Sequence, residues 1–232
     1  MGTGRRPYAA PLALFSLALQ VHAVEIGGDL ILMDAGRNQF WCIAANTATG
    51  AIRLLAEPEA AQEPLHDPVI VDLVEQGLLG RGTTAARPRS PSLPGARSGL
   101  SSSTGRMKIP WTDVVLVLLA GALTLFKLKA LPPRYWLRLA PAAKRACRCD
   151  DARLSQLAQR FDVMRPYLPG TSRCLPRSML LLEFLRLKGE EAAWVFGVRT
   201  HPFSAHCWVQ CGETVLNDTI DHVRWFTPIA VF

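Results

Sequence analysis

The chain has 232 residues, 49% of them apolar, and its 26 Lys and Arg against 19 Asp and Glu give a net charge of +7. This composition predicts one medium folded domain or two small ones, and it excludes a collagen, a coiled coil and a wholly disordered protein. Six cysteines are too few for a disulfide scaffold, which favours a reducing cytoplasm over secretion.

Three short apolar runs separated by turn residues open the chain. The runs are residues 17–24, 30–33 and 39–43. Glycine, aspartate and asparagine occupy the segments between them, as expected for tight turns. The pattern therefore predicts a three-stranded meander.

Two helices are expected after the meander. Asn46 or Thr47 can cap the first, which runs through Leu55, and Asp67 can cap the second. Three strands followed by helices predict a small winged-helix-like domain over residues 1–80.

The second of these helices is unsuited to DNA. Residues 67–76 contain three carboxylates and no Lys or Arg, so they would repel phosphate and offer no reader for guanine. We therefore expect no nucleic acid partner. Capture of an extended peptide by strand addition at a sheet edge suits this domain better, and a purely structural appendage is the alternative.

Residues 81–108 differ in composition from the segments on both sides. Gly, Pro, Ser and Thr make up 16 of these 28 residues, and none is acidic. Such a segment cannot bury enough apolar surface to offset its ordering entropy. We predict a flexible linker here, which leaves residues 109–232 as a second domain.

The second domain begins with helical patterns and ends with strand patterns. The expected helices are 112–129, 135–147, 151–167 and 174–188, and the expected strands are 194–198, 205–211 and 214–218. The fold class predicted for the whole chain is therefore α+β.

An apolar run of 13 residues, 114–126, lies inside the first of these helices. It is shorter than the ~18–20 residues that a membrane-spanning helix needs, so we predict a buried helix. Four basic residues follow it closely: Lys127, Lys129, Arg134 and Arg138. They leave a peripheral contact with a membrane surface as the alternative.

Cys174 falls where the last helix should begin. A helix N-terminus favours an anion, so a thiol there is shifted toward the nucleophilic thiolate. In the strand that follows, alternation places His206 on one face and Cys207 on the other, where it is expected to be a bystander. If the hairpin turn is centred on Gly212, His206 directly faces Asp218, which can then orient the imidazole. The pattern predicts a catalytic Cys-His-Asp triad.

These residues belong to a longer series of short motifs. In the second domain the motifs are Cys174-Leu175-Pro176-Arg177-Ser178, Gly197-Val198-Arg199, Pro202-Phe203, Ala205-His206-Cys207-Trp208 and Leu216-Asn217-Asp218. They resemble the transglutaminase-like leader peptidases of lasso-peptide biosynthesis, the B proteins of those clusters. The first domain, through residues 28–34 and 75–79, is similar to the PqqD-like element that recognises precursor leaders.

The resemblance implies a cysteine peptidase of the bacterial cytoplasm. It would bind a ribosomally made lasso-peptide precursor, remove the leader through Cys174, His206 and Asp218, and pass the core peptide to an asparagine-synthetase-like cyclase. Asn217 and Asp221 are the alternatives for the third role. The chain has no phosphate-binding loop of the form G-x-x-x-x-G-K-[ST], so we expect it to bind no cofactor. Any ATP requirement would belong to the cyclase.

A leader groove is expected in the first domain, between strand 39–43 and helix 68–76. The candidate contacts are Phe40, Trp41, Ile43, Val69 and Leu73. Phe40 and Trp41 alternate in direction, so only one of them can face the peptide.

Two other functions compete with this one. A zinc site could draw on Cys147, Cys149, Cys207 and Cys211 with His206 or His222, but only the pair Cys207-x₃-Cys211 has a usual ligand spacing. We therefore expect no metal. The second competitor is a non-catalytic leader-binding protein that serves as a scaffold of the maturation complex.

Overall fold

The computed structural model describes residues 15–56, 67–81, 95–100, 107–138 and 151–232. Helices and strands are both present, which confirms the predicted α+β class. The described residues up to 81 form a first unit, and those from 95 onward form a second unit.

The first unit is built on a three-stranded antiparallel sheet. Its elements are β1 (Phe15–Leu17), β2 (Val21–Ile26), β3 (Asp29–Asp34), β4 (Gln39–Ile43), α1 (Ala45–Ala56), α2 (Pro68–Glu75) and β5 (Leu79–Arg81). The sheet order is β2-β3-β4, as the meander predicts, and β1 pairs with β5 in a separate ribbon. Residues 17–24 are therefore not one strand, because the chain turns after β1, where Val21 N–H donates to the Ala18 carbonyl.

The turn between β2 and β3 requires glycine. Gly27 and Gly28 have φ angles of 60° and 90°, and a Cβ on Gly28 would lie 2.9 Å from the Cβ of Ala45. This close approach brings Ala45, the first residue of α1, to β3, where its N–H donates to Asp29 Oδ1 at 2.9 Å.

Of the two helix caps predicted in the first unit, one is wrong and the other is confirmed. The cap predicted at Asn46 or Thr47 is wrong, because α1 begins before them and its first N–H is satisfied by a strand residue distant in sequence. At α2 the prediction is confirmed, since Asp67 Oδ1 accepts from Val69 N–H at 2.9 Å.

The second unit combines a sheet with helices packed on it. Its elements are β6 (Ser98–Gly99), α3 (Trp111–Ala130), α4 (Pro133–Arg138), α5 (Asp151–Met164), α6 (Cys174–Leu187), β7 (Ala193–Arg199), β8 (Ser204–Cys211), β9 (Thr214–Val215), α7 (Ile220–Val223) and β10 (Thr227–Val231). The sheet order is β10-β7-β8-β9-β6. Helix α6 packs against β8 on one side and α3 on the other, which places the helix start beside the central strand.

Most elements predicted for this unit are found, with three differences. The strand expected over 214–218 ends at Val215. Helix α4 ends at Arg138, and the rest of the helix expected over 135–147 lies outside the described residues. Strand β10, at one edge of the sheet, was not predicted from the sequence.

Part of the predicted linker belongs to the second unit. Ser98 and Gly99 form β6, which pairs in parallel with Thr214 and Val215. A flexible linker is therefore wrong for these two residues, because backbone pairing at a sheet edge orders a segment that buries little apolar surface. Residues 82–94 and 101–106 lie outside the described residues, and the domain boundaries stay a prediction.

One apolar core joins the two units. Ile31 and Met33, on one face of β3, lie in a single buried cluster with Trp194 and Phe196 of β7 and with Ile229 of β10. The opposite face of β3 packs in a separate core with α1 and α2. The sheet of the first unit is therefore covered on both faces.

Helix α3 confirms the predicted position of a helix but not its burial. Among the described residues it is the one helix long and apolar enough to cross a membrane, although 28% of its most apolar window is buried. Its large apolar side chains point outward, whereas Asp113, Val117, Ala120 and Thr124 point inward. The prediction of a buried apolar helix is therefore wrong.

Candidate active site

Cys174 is the first residue of α6. The preceding residue, Arg173, is extended, and its side chain makes no capping hydrogen bond, so no cap side chain satisfies the N–H groups at the helix start. These groups and the helix dipole favour a negative charge on the sulfur. The side chain is half-buried, which leaves it accessible to a substrate.

His206 lies on the central strand β8 and is buried. Its Nε2 is 2.6 Å from Asp218 Oδ2. The Cys174 thiol is also hydrogen-bonded to His206. Because Asp218 occupies Nε2, the other ring nitrogen, Nδ1, is the one available to the thiol. The three predicted catalytic residues therefore meet in one place.

Asp218 reaches His206 by a route that differs from the predicted hairpin. The predicted register, centred on Gly212, is wrong by one residue, since Gln210 pairs with Val215 and Cys211 with Thr214. A continued ladder in this register would have turned residue 218 away from His206. The strand ends at Val215, and the loop after it carries Asp218 back to the imidazole.

Asn217 fixes the loop that carries Asp218. Its Oδ1 accepts from the Val209 N–H of β8 at 2.8 Å, and its Nδ2 donates to Ser178 Oγ of α6, also at 2.8 Å. Ser178 in turn donates to the Cys207 carbonyl at 3.2 Å. One amide thus ties the acid loop to the strand of His206 and to the helix of Cys174. In this position Asn217 does not contact His206 in the place of Asp218.

The electrostatics of the three groups favour a thiolate–imidazolium pair. Hydrogen bonds from Cys207 and His206, with the charge of His206, outweigh burial and lower the pKa of Cys174 to about 4. Burial lowers the pKa of His206, but hydrogen bonds to Asp218 and Cys174 and their charges outweigh it and raise the pKa to about 9. Burial opposes ionisation of Asp218, yet hydrogen bonds from His206, Thr219 N–H and His222 hold its pKa well below the usual range.

Cys207 is not the bystander that strand alternation predicts. It is buried, but its thiol is hydrogen-bonded to Cys174, which raises the pKa of Cys207 well above the ordinary value. A thiol that stays protonated can donate to the thiolate of Cys174. The prediction was wrong because alternation describes only the two faces of the strand. Helix α6 places Cys174 against β8, where it contacts both His206 and Cys207.

Asp218 has two further partners that the sequence analysis did not assign. Arg177 Nη2 donates to its Oδ2 at 3.2 Å, and His222 Nδ1 lies 3.0 Å from the same oxygen. Arg177 follows Cys174 by three residues on α6, so helical spacing was a signal that could have found it. His222 lies on α7, a short helix that the sequence analysis did not predict.

Aromatic rings close the remaining sides of His206. The Trp208 ring is stacked beside it, with centroids 6.0 Å apart, and Phe226 is 5.0 Å away. Both rings pack over Gly197, where a Cβ would lie 2.8 Å from Trp208 and 2.9 Å from Phe226. Trp208 therefore supports the imidazole, as its place on the same strand face predicts.

Residues 117–231 match the family described as the transglutaminase-like superfamily. The matched residues make up most of the second unit, which is therefore similar to transglutaminase-like domains. A stretch of 47 residues is 45% identical to the microcin J25-processing protein McjB of Escherichia coli. That stretch covers 20% of this chain and 23% of the relative. No solved structure gives a significant match.

A metal would have to compete with existing contacts in the transglutaminase-like domain. The ligand atoms of His206, Asp218 and His222 lie within 4.8 Å of one another. They are already hydrogen-bonded together, and the Arg177 guanidinium beside Asp218 opposes a second cation. The proposed zinc ligands do not converge either, because Cys207 and Cys211 are four residues apart on one strand, about 13 Å. Cys147 and Cys149 lie outside the described residues.

The residues predicted to contact a leader lie in the first unit, away from the transglutaminase-like site, and point in different directions. Phe40 faces the second unit, 6.0 Å from the Phe203 ring. Trp41, Ile43 and Val69 are partly buried against the core of the first unit, and Leu73 is fully inside it. Leu73 is therefore wrong as a peptide contact, because its position on α2 faces the sheet. Strand β4 itself is an edge strand of the three-stranded sheet.

Proposed function

We propose that this protein is a leader peptidase of lasso-peptide biosynthesis that uses Cys174 as its nucleophile, His206 as its acid and base, and Asp218 as the group that orients the imidazole. The observation that carries the proposal is the convergence of these three side chains, with a thiol of lowered pKa and an imidazole of raised pKa. The transglutaminase-like domain and the stretch similar to a microcin-processing protein support it.

The proposed reaction follows from these protonation states. The Cys174 thiolate attacks the carbonyl carbon of the scissile peptide bond, and the protonated His206 gives its proton to the leaving amine. This step forms a thioester with the leader and releases the core peptide. His206 then removes a proton from water, whose oxygen attacks the thioester, and the leader leaves as a carboxylic acid while Cys174 is restored. Asp218 holds the ring in position throughout.

The step after leader removal, cyclisation of the core peptide, would need a second enzyme. The released core peptide would pass to an asparagine-synthetase-like cyclase in the bacterial cytoplasm, and any ATP would be used there. Within this chain, the reaction needs neither a metal nor a cofactor. These assignments rest on the family resemblance of the motifs around Cys174 and His206.

The test is cleavage of a precursor peptide by the full chain together with the cyclase, followed by mass spectrometry. Cys174→Ala should abolish release of the leader, whereas Cys207→Ala should slow it without abolishing it, because the nucleophile and His206 remain and only the hydrogen bond from Cys207 to Cys174 is lost. Iodoacetamide at about pH 6 should label Cys174 selectively, since an ordinary thiol is almost fully protonated there. Equal cleavage by both variants would refute the nucleophile. Leader binding without cleavage by the wild type would favour the non-catalytic scaffold.

For the first unit we propose leader recognition by a winged-helix-like, PqqD-like domain. Strand β4 supports this, since it is an edge strand whose outer backbone groups can pair with an extended peptide. Of the predicted contacts, Phe40, Trp41, Ile43 and Val69 are only partly buried. Leu73 is not among the proposed leader contacts, because it is buried in the core of the first unit.

Cys42, one of the two exposed residues of β4, provides the test of this edge. Cys42→Pro should weaken binding of a labelled leader at least about tenfold, because proline removes a donor and distorts the edge. Cys42→Ser is the matched control and should bind normally. Alkylation of Cys174 shows whether the second unit remains folded in each variant. If Cys42→Pro keeps full affinity while the wild type binds, the leader is held elsewhere.

A further inference from the structure

Helix α3 has the reverse of the usual amphipathic arrangement. A helix on the surface of a protein normally turns its apolar stripe toward the core and its charges toward water. In α3 the fully buried positions are Asp113, Val117, Ala120 and Thr124, and Leu116 and Leu128 are partly buried. The outward positions are large and apolar: Trp111, Val114, Val115, Leu118, Leu119, Leu125 and Phe126.

The inward charges hold α3 in this orientation. Asp113 is completely buried and is paired with Arg160 of α5, at 2.9 Å, and with Lys188 at the end of α6. Near the other end of the helix, Lys127 is paired with Glu183 of α6. Rotation of α3 to bury its apolar face would break the ion pairs of Asp113 and Lys127 and leave their buried partners without a counter-charge. The outward apolar face is therefore fixed by the fold.

The outward face extends along the whole helix. Trp111 is 75% exposed at the beginning, Leu118 is 58% exposed in the middle, and Phe126 is 61% exposed near the end. A 20-residue helix is about 30 Å long, so the face is far larger than the scattered apolar side chains of ordinary surfaces. Among the described residues, nothing covers it.

The charge around this face is of one sign. Lys108, Lys129 and Arg134 are exposed at its two ends, and Asp113, the only acidic residue of α3, is buried and paired. An apolar helix face with a basic border, and with Trp and Tyr near its ends, complements the interface of a membrane that contains anionic lipids.

We propose that α3 docks this protein on an anionic membrane surface, lying in the plane of the interface with its outward face among the lipids. The helix does not span the bilayer, because its inward face is ion-paired to α5 and α6, which would have to enter the hydrocarbon with it. The proposal goes beyond peptide cleavage and does not depend on it. A protein partner on the same face is the competing occupant.

The test is flotation of the full chain with vesicles of phosphatidylcholine alone or mixed with phosphatidylglycerol. The wild type should float with the mixed vesicles, and high salt should weaken this binding. The double variant Leu118→Gln/Phe126→Gln should lower the partition coefficient at least about tenfold, because it removes two apolar side chains from the contact. Tyr167→Gln is the matched control, since Tyr167 is an exposed aromatic residue outside α3.

Tryptophan fluorescence gives a second readout that does not depend on protein yield. Brominated lipids should quench the emission of Trp111, and Trp111→Phe should remove most of this quenching. The proposal is overturned if the wild type does not bind either vesicle, or if the Leu118/Phe126 variant binds as well as the wild type. It is also overturned if the chain self-associates or binds the cyclase through this face in preference to vesicles. Iodoacetamide labelling of Cys174 should be unchanged in the α3 variants.

Discussion

At the scale of single residues, the site is a small ionic network centred on Asp218. This carboxylate accepts from His206, Arg177 and its own loop, and His206 links it to the nucleophile. A buried carboxylate with this many donors stays ionised, and its charge keeps the imidazole protonated. Asp218 therefore helps raise the pKa of the ring that, in the proposed reaction, first donates a proton and then accepts one.

The pKa values of this network predict the pH dependence of cleavage. Below about pH 4 the Cys174 thiolate gains a proton, and above about pH 9 the His206 imidazolium loses one. The profile of kcat/KM should therefore be a bell with limbs near these two values, measured by initial rates of leader release. A single alkaline limb near the ordinary thiol pKa would contradict the ion pair.

Replacing the carboxylate should move one limb of this profile. Asp218→Asn keeps an oxygen that can accept from the ring but removes the negative charge that helps raise the pKa of His206, so the alkaline limb should shift from about 9 toward the ordinary value of ~6.5. The rate should fall by about 10² or more, because a neutral amide no longer stabilises the imidazolium. Asp221→Asn is the control, since Asp221 is exposed and contacts only Arg224 in the described network. An equal effect of both changes would remove the special role of Asp218.

The sequence predicted that the three side chains of the candidate site would come together, but not the way they meet. A helix start and an alternating strand are local signals, and they identified Cys174 and His206. The register was wrong by one residue because the turn is centred between Gly212 and Glu213, and alternation along the strand does not specify the turn. The contacts of Cys207, Arg177 and Asn217 could not be predicted, since they depend on how α6 docks on β8.

At the scale of elements, the composition of α3 predicts a helix but not which of its faces is buried. Its length and apolar character fixed the position of a helix, but the direction of its faces depends on partners in α5 and α6. Arg160 and Lys188 lie far along the chain from Asp113, so no local pattern connects them. Strands β6 and β10 were missed for the same reason, because their pairing joins distant segments.

The buried pairing of Asp113 predicts a large loss of stability on its removal. Asp113→Ala leaves Arg160 and Lys188 facing a buried site without a counter-charge, and it should lower the free energy of unfolding by about 3 kcal/mol. Urea denaturation measures this loss. Asp162→Ala, which breaks the exposed pair with Arg165, should change stability by less than about 1 kcal/mol. Similar losses in both variants would mean that burial of the pair is unimportant.

At the scale of the whole molecule, the two units share an apolar core. Ile31 of β3 is fully buried against residues of β7 and β10, so the sheet of one unit forms part of the interior of the other. The sequence suggested two separate domains because a Gly-, Pro- and Ser-rich segment lies between them. Packing between distant surfaces leaves no mark on the composition of the segment that joins them.

This shared core predicts that the two units unfold together. Ile31→Ala should lower the free energy of unfolding by about 2–5 kcal/mol, because it opens a cavity between the units. Far-ultraviolet circular dichroism and protection of the buried Cys211 thiol should report the same midpoint. Val71→Ala, at a partly exposed position of α2, is the control and should have a small effect. Two separate transitions, with only one of them shifted by Ile31→Ala, would show that the units are independent.

If a leader binds along β4 and is cut at Cys174, as proposed, the packing of β3 against β7 and β10 sets the distance between these two points. The two points cannot move apart without opening the apolar core between the units, so the leader must span a fixed distance. The number of residues between the recognised segment and the cleaved bond would then matter more than their identity. Precursors lengthened within this spacer would bind normally but present the wrong bond, or none, to the thiolate.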